Sequence, residues 1–158
     1  MEAEGLELRR AGLGDAPALA LHRLELVRAV KDRVPEGEDG LLREMEGLIA
    51  DGLGSDELAA WICLDGMTAA ASGAIAFPMD QGQREEERLG QGEALLLGMY
   101  TRPAYRRRGL GTSLLALAIG EARARGARAI RLQPTELGRP IYEAVGFRDR
   151  GRDMLLEL

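Results

Sequence analysis

The chain has 158 residues, 46% of them hydrophobic and 30% charged, and this composition predicts a globular protein with a sizeable core. Its net charge of −5 argues against a nucleic-acid-binding protein, because contact with a phosphate backbone requires a basic surface. The single cysteine, Cys63, cannot form an internal disulfide, and no apolar run is long enough to span a membrane. We therefore expect one soluble domain over residues 1–158, in the cytoplasm, with neither nucleic acid nor membrane as a partner.

The first third of the chain predicts one strand and two helices. Leu6–Arg10 alternates weakly between apolar and polar residues, as a strand does, and Asp15–Val30 predicts a helix with the aspartate as its N-cap. Lys31–Gly40 is rich in charge and predicts a loop. Apolar residues at helical spacing follow it, and we expect Gly52 and Gly54 to end this second helix.

Two apolar segments in the middle of the chain predict a β-hairpin. Leu58–Leu64 and Met67–Phe77 have the composition of strands, and the dipeptide Asp65-Gly66 between them is typical of two-residue hairpin turns. The polar segment Pro78–Gly92 that follows predicts a long loop. This part of the sheet is therefore expected to be antiparallel.

The C-terminal half has the pattern of a parallel strand–helix–strand unit. Glu93–Thr101 predicts a strand in which Gly98 marks a bulge, and a helix over Gly109–Arg125 and a short strand over Ala129–Leu132 follow. Because a crossover of this kind makes its two strands parallel, we predict a mixed α/β fold with helices flanking one central sheet. A helix over Leu137–Val145 and a strand over Met154–Leu158 complete the chain.

The segment between the predicted strand and the long helix has the features of an anion site. A glycine-bearing turn, Arg106–Thr112, leaves backbone N–H groups unpaired at the positive end of the helix dipole, which suits a phosphate or pyrophosphate. Gly109 and Gly111 let the backbone approach such a ligand without a Cβ in the way. The distance from Thr101 does not fit a dinucleotide-binding GxGxxG turn, and the residues after the glycines do not fit a P-loop.

Two motifs in this half resemble those of the GCN5-related N-acetyltransferase (GNAT) superfamily. Arg106-Arg107-Arg108-Gly109-Leu110-Gly111 matches the Arg/Gln-x-x-Gly-x-Gly/Ala motif at the start of that family's central helix. Met99–Tyr105 resembles the strand end and lead-in before it, and Arg139–Phe147 resembles the family's Leu-Tyr-Glu-x-x-Gly-Phe signature. The motifs occur in the family's order, and they imply the GNAT-like acyl-CoA N-acyltransferase fold with acetyl-CoA as co-substrate.

The resemblance implies where acetyl-CoA binds. Backbone N–H groups of the turn would hold the pyrophosphate, the strand end would pair with the pantetheine arm, and the amide of Met99 would polarise the thioester carbonyl. The cofactor-binding residues are then Met99, Tyr100, Thr101, Arg106, Arg107, Arg108, Gly109, Gly111, Thr112 and Thr135. Many family members carry an asparagine at the position of Thr135, so this contact with pantetheine is changed here. No metal is expected.

The resemblance also implies the catalytic residues. Tyr142 matches the tyrosine that lies near the thioester sulfur, where a phenol can protonate the leaving thiolate. Glu93, at the start of the central strand, is the acidic candidate for the general base, because Leu95 stands where some members place a catalytic glutamate. These residues imply acetyl transfer to a primary amine, carried by a small molecule or a peptide.

Two other functions are compatible with the same motifs. The domain could bind acyl-CoA as a sensor without turnover, since no base is recognisable, or it could transfer an acyl group larger than acetyl. The segments Lys31–Gly40 and Gln81–Gly92, which are expected to shape the acceptor pocket, carry no diagnostic residues. Homodimers are common in the family, and the sequence leaves that partner open.

Overall fold

One mixed β-sheet lies at the centre of the molecule, of which the computed structural model describes residues 2–3, 5–31, 38–77 and 92–158. Its strands are β1 (Glu2–Ala3), β2 (Leu6–Arg10), β3 (Leu58–Asp65), β4 (Thr68–Ala76), β5 (Glu93–Thr101), β6 (Ala129–Leu132), β7 (Arg148–Arg150) and β8 (Asp153–Glu157). They follow the order β1-β2-β3-β4-β5-β6-β8-β7, and β5–β6 is the parallel pair among otherwise antiparallel neighbours. The predicted mixed α/β fold, with an antiparallel N-terminal half and a parallel strand–helix–strand unit, is confirmed.

Helices pack on both faces of the sheet. In the described part of the chain they are α1 (Ala16–Lys31), α2 (Glu38–Ser55), α3 (Leu110–Ala124) and α4 (Arg139–Val145), and none of these is long and apolar enough to cross a membrane. Alternate residues of a strand face opposite sides of a sheet. Accordingly, Trp61 and Cys63 of β3 pack in one cluster with buried residues of α3, whereas Ala60 and Ile62 pack in a second cluster with residues of α1 and α2.

The second helix differs from the prediction at both ends. It begins at Glu38, inside the predicted loop Lys31–Gly40, of which residues 32–37 lie outside the described residues. The prediction that Gly52 and Gly54 end it was wrong, because α2 continues through both. A Cβ on Gly52 would stand 2.9 Å from the Cβ of Leu58, so the glycine allows helix and strand to pack closely. This packing offsets the cost of glycine in a helix, about 0.5–1 kcal/mol relative to alanine.

The hairpin turn is shifted by one residue from its predicted position. Asp65 pairs with Thr68, so the two turn residues are Gly66 and Met67 instead of Asp65 and Gly66. Gly66 has a φ of +60°, and a type II′ turn has glycine at its first central position. The two strands themselves end within one residue of the predicted positions.

Both edge strands of the sheet were missed at the sequence level. β1 and β7 contain two and three residues, too few for a period-two pattern to be visible. The residues of β7 are all charged and exposed, a composition that protects a sheet edge from pairing with another chain. The strand β8 begins one residue before its predicted start, and the helix α4 begins two residues after its predicted start. Of the predicted loop Pro78–Gly92, residues 78–91 lie outside the described residues.

Candidate functional site

The parallel strands β5 and β6 separate part of the way along the sheet. They pair only through Glu93–Leu95 and Ala129–Arg131, and beyond Leu95 the strand β5 pairs with β4 alone. Beyond Leu95 the β6 side of β5 therefore has no strand partner, and this unpaired side is called the gap below. It lies at the carboxyl end of the parallel pair, which is where ligands of open α/β sheets bind.

A β-bulge shapes the part of β5 that borders this gap. In its pairing with β4, the two residues Gly98 and Met99 lie opposite the single residue Gly73. Gly98 has a φ of +66°, as in bulges that start with a left-handed glycine, and the bulge predicted there is confirmed. The side chain of Met99 packs against the cluster on the α3 face, whereas the ring of Tyr100 lies 5.2 Å from that of His22.

The turn after β5 has the backbone of an anion site. Pro103–Tyr105 forms a short 3-10 turn, Arg107 and Gly109 are left-handed with φ of +65° and +78°, and α3 begins at Leu110. Within the described residues, the backbone N–H groups of residues 107–112 donate to no acceptor, whereas that of Arg106, which was also predicted to be unpaired, donates to the carbonyl of Pro103 at 3.4 Å. These groups and the positive end of the α3 dipole are therefore available to a bound anion.

Side chains fix this turn to the strands beside it. The Nε of Arg106 donates to the carbonyl of Thr101 at 3.1 Å. The hydroxyl of Tyr105 donates to the carboxylate of Asp65 at 2.6 Å, and this hydrogen bond raises the pKa of the tyrosine. The guanidinium of Arg108 lies over the Tyr105 ring, 5.3 Å from its centroid. The Tyr105–Asp65 contact could not be predicted, because its partners are 40 residues apart in the sequence.

The two motifs Arg106–Gly111 and Arg139–Phe147 lie next to each other in the structure. A Cβ on Gly111, in the first turn of α3, would stand 3.2 Å from the Cδ1 of Ile141 in α4. The missing side chain at this glycine therefore lets α4 approach the turn Arg106–Thr112, which is called the anion turn below. Tyr142 follows Ile141 directly, so it lies on the helix that contacts this turn.

Tyr142 is buried, but its hydroxyl still contacts solvent. The ring packs edge-on against Phe147, with the centroids 5.8 Å apart, and lies close to the Cα of Gly138. The hydroxyl bonds to no described residue and keeps accessible surface. Burial raises the pKa of Tyr142 to about 12, so the phenol remains protonated at neutral pH.

Thr135 is close to the tyrosine but has a partner of its own. Its Oγ1 accepts the backbone N–H of Gly138 at 3.1 Å, in the turn that leads into α4. A Cβ on Gly138 would lie 3.2 Å from this oxygen and 3.0 Å from the ring of Tyr142, so both side chains converge on the glycine. The threonine therefore supports the position of α4 and leaves a lone pair of its hydroxyl for a further contact.

Glu93 lies at the other end of β5 from the bulge. Its side chain is only 3% exposed, and one carboxylate oxygen accepts hydrogen bonds from Arg131 at 2.9 and 3.1 Å. Arg128 contacts the second oxygen at 3.5 Å. Met99 lies six residue steps further along the extended strand, roughly 20 Å away. This geometry assigns Glu93 to the support of the β5–β6 pair and argues against its predicted role as general base.

The histidine beside Tyr100 is a hydrogen-bonded core residue. Its Nε2–H donates to the carbonyl of Ala69 at 3.0 Å, which leaves Nδ1 to accept the hydroxyl of Ser72 at 2.7 Å. Burial lowers the pKa of His22, in agreement with this neutral state. In the part of the chain that the structure describes, no group of three His, Cys, Asp or Glu side chains could hold a metal ion.

Known proteins share both the sequence pattern and the fold. A model of the acetyltransferase (GNAT) family matches residues 26–147. The crystal structure of a predicted acetyltransferase with acetyl-CoA from Clostridium acetobutylicum is 27% identical, with 97% of this chain and 95% of that chain covered and a TM-score of 0.78. No curated protein was found to match the chain in sequence.

More distant structures have the same fold. A GCN5-related N-acetyltransferase from Ralstonia eutropha JMP134 is 22% identical, with 93% of this chain and 95% of that chain covered and a TM-score of 0.78. PaiA N-acetyltransferase from Thermoplasma acidophilum, in complex with coenzyme A, is 18% identical, with 95% and 96% covered and a TM-score of 0.68.

Proposed function

Because the chain belongs to the GNAT family of acetyltransferases, we propose that it transfers an acetyl group from acetyl-CoA to a primary amine. The observation that carries this proposal is the side of β5 beyond Leu95, which has no partner in β6, contains the bulge and leads directly into the anion turn. The similar structure from Clostridium acetobutylicum, which contains acetyl-CoA, supports the same donor. The single free thiol, Cys63, is consistent with a reducing compartment such as the cytoplasm.

The residues of the anion turn fit a pyrophosphate. A Cβ on Gly109 would meet nothing within 4 Å, so the open space in front of this residue is available to the ligand. The unpaired N–H groups of residues 107–112 would donate to the phosphate oxygens, and the exposed side chains of Arg107 and Arg108 add positive charge. We also propose that Arg106, Thr112 and Thr135 contact the coenzyme, as the sequence predicts.

The strand end and the tyrosine have separate tasks in the reaction. The pantetheine arm would add to the unpaired side of β5 along Met99, Tyr100 and Thr101, as an extra strand does. When the amine attacks the thioester carbon, the C–N bond forms and negative charge develops on the oxygen, which the Met99 N–H would stabilise. The C–S bond then breaks, the thiolate would take the hydroxyl proton of Tyr142, and the proton that the attacking nitrogen loses would return through water to the phenolate, so that the tyrosine is neutral again.

One observation favours a second function, that of an acyl-CoA sensor without turnover. The attacking amine must lose a proton, and the acidic candidate Glu93 is held by Arg131 far from the bulge. In that case the same gap and turn would bind the coenzyme, and no acceptor would be consumed.

Measurements of acetyl-CoA binding and of thiol release distinguish the transferase from the sensor. We expect acetyl-CoA to raise the melting temperature of the protein, because a ligand that binds only the native state stabilises it by RT ln(1 + [L]/Kd), about 2.7 kcal/mol at a hundredfold excess over Kd. Thiol release is then measured with a panel of polyamines, amino acids, aminoglycosides and peptide N-termini. Stabilisation with thiol release supports the transferase, and stabilisation without it supports the sensor. If saturating acetyl-CoA leaves the melting temperature unchanged, neither function is correct.

Tyr105 is expected to orient the anion turn through Asp65. Tyr105→Phe keeps the ring under Arg108 and removes the hydrogen bond, so we expect the Kd for coenzyme A to rise about 2–10-fold, the value of one hydrogen bond. Asp65→Asn is the matched control, because its amide oxygen still accepts the bond while its charge is lost. Calorimetric titration of both variants checks this; equal affinity of Tyr105→Phe and the unmodified protein would leave Tyr105 without such a role.

A further inference from the structure

Residue 73 is a glycine, and the side chain of Met99 occupies the space that a side chain at this position would take. A Cβ built on Gly73 would overlap the Sδ of Met99, which lies directly over this glycine. The two residues face each other across β4 and β5 at the bulge. An interior glycine weakens a strand, so close approach of another group is the physical reason for one at this position.

Met99 borders both the core and the gap. Its side chain packs against the cluster on the α3 face and remains partly exposed, on the half of β5 that has lost its contact with β6. A methionine side chain is unbranched and adapts to the space around it. The glycine therefore lets this side chain lie back over β4, and a larger residue at position 73 would force it toward the gap.

The proposed reaction puts the acyl group beside this side chain. A carbonyl oxygen that accepts the Met99 N–H lies roughly 2.9 Å from the nitrogen. The Cβ of the same residue is two bonds from that nitrogen, so the first carbons of an acyl chain come within van der Waals distance of the methionine.

We propose that Met99, lying over Gly73, restricts the donor to short acyl groups, and this inference rests on the proposed acyl-CoA site. With the side chain over the glycine, the gap accepts the methyl group of an acetyl thioester. The additional methylenes of a butanoyl thioester would meet the methionine. Both residues thus determine specificity: Met99 carries the side chain that the longer acyl groups would meet, and Gly73 leaves the space over β4 that keeps this side chain from closing on the acetyl group.

Calorimetric titration with coenzyme A, acetyl-CoA and butanoyl-CoA tests the proposal without knowledge of the amine. In the unmodified protein we expect acetyl-CoA to bind more tightly than butanoyl-CoA. Met99→Ala should lower the ratio of the butanoyl-CoA Kd to the acetyl-CoA Kd by about tenfold or more, the effect of a methylene or two in a pocket. Leu97→Ala is the control, because Leu97 lies on the same strand and packs with the cluster on the α1 and α2 face; its ratio should not change.

A double mutant tests the contact between the two residues. Gly73→Ala should weaken acetyl-CoA binding, and Gly73→Ala combined with Met99→Ala should restore it. If Gly73→Ala does not fold, recovery of folding in the double mutant demonstrates the contact. The ratio of the butanoyl-CoA Kd to the acetyl-CoA Kd in Met99→Ala then still tests the proposed specificity. An unchanged ratio in Met99→Ala, with acetyl-CoA still bound, overturns this inference alone. If the unmodified protein binds none of the three ligands, the proposed function itself fails.

Discussion

Replacing Gly109 by leucine is expected to raise the Kd for coenzyme A by about 100-fold or more, with the protein still folded. A side chain here would enter the open space in front of the anion turn and keep the phosphate from the N–H groups behind it. Loss of two hydrogen bonds to a charged group, at about 1.5–3 kcal/mol each, gives this factor. Titration calorimetry with coenzyme A measures it directly.

Gly126 offers a control that matches the backbone strain. It follows the other end of α3 with a φ of +77°, against +78° at Gly109, and a Cβ on either glycine would meet nothing within 4 Å. Leucine at either position should therefore lower the free energy of unfolding by a similar amount, about 1–2 kcal/mol. Only Gly109→Leu should also lose coenzyme A. If Gly109→Leu and Gly126→Leu have the same Kd for coenzyme A, whatever its value, the anion turn does not bind the coenzyme as proposed.

Much of the fold could be predicted because local signals agreed with the tertiary structure. β2 and β5 have the predicted ends, and the bulge lies at the predicted glycine. Gly52 and Gly66 gave wrong boundaries because each glycine has a second use that sequence does not distinguish. Gly52 lets α2 pack against β3 and does not end the helix, and Gly66 is the first turn residue, not the second.

The candidate site could be predicted only where its residues are local in sequence. The turn after β5 is one continuous segment, so its glycines and its place before a helix were readable. The contacts of Tyr105 with Asp65, of Met99 with Gly73 and of Glu93 with Arg131 join different elements. Gly73 lies in a run of small residues, and a glycine within a predicted strand is the one signal that could have indicated the second contact.

Tyr142→Phe is expected to separate binding from chemistry. The phenylalanine keeps the packing against Phe147 and Gly138, and the lost hydroxyl bonds to no described residue, so affinity for acetyl-CoA should change little. The kcat with an amine that gives turnover should fall about 100-fold or more, the usual contribution of a general acid. Tyr105→Phe is the counterpart, because it should raise Kd and leave kcat nearly unchanged.

The raised pKa of Tyr142 predicts a pH dependence of stability, and this dependence is expected whether the tyrosine is a general acid or only a packing residue. Because burial raises this pKa from 10 to about 12, the folded state disfavours the phenolate. The stability from this group is fully present below pH 10 and is lost as the pH rises toward 12, so Tyr142→Phe should lose less stability over that interval. Denaturant unfolding at pH 9 and pH 11 measures the difference. If the variant keeps full turnover but shows this pH effect, Tyr142 is a packing residue, and another group must protonate the thiolate.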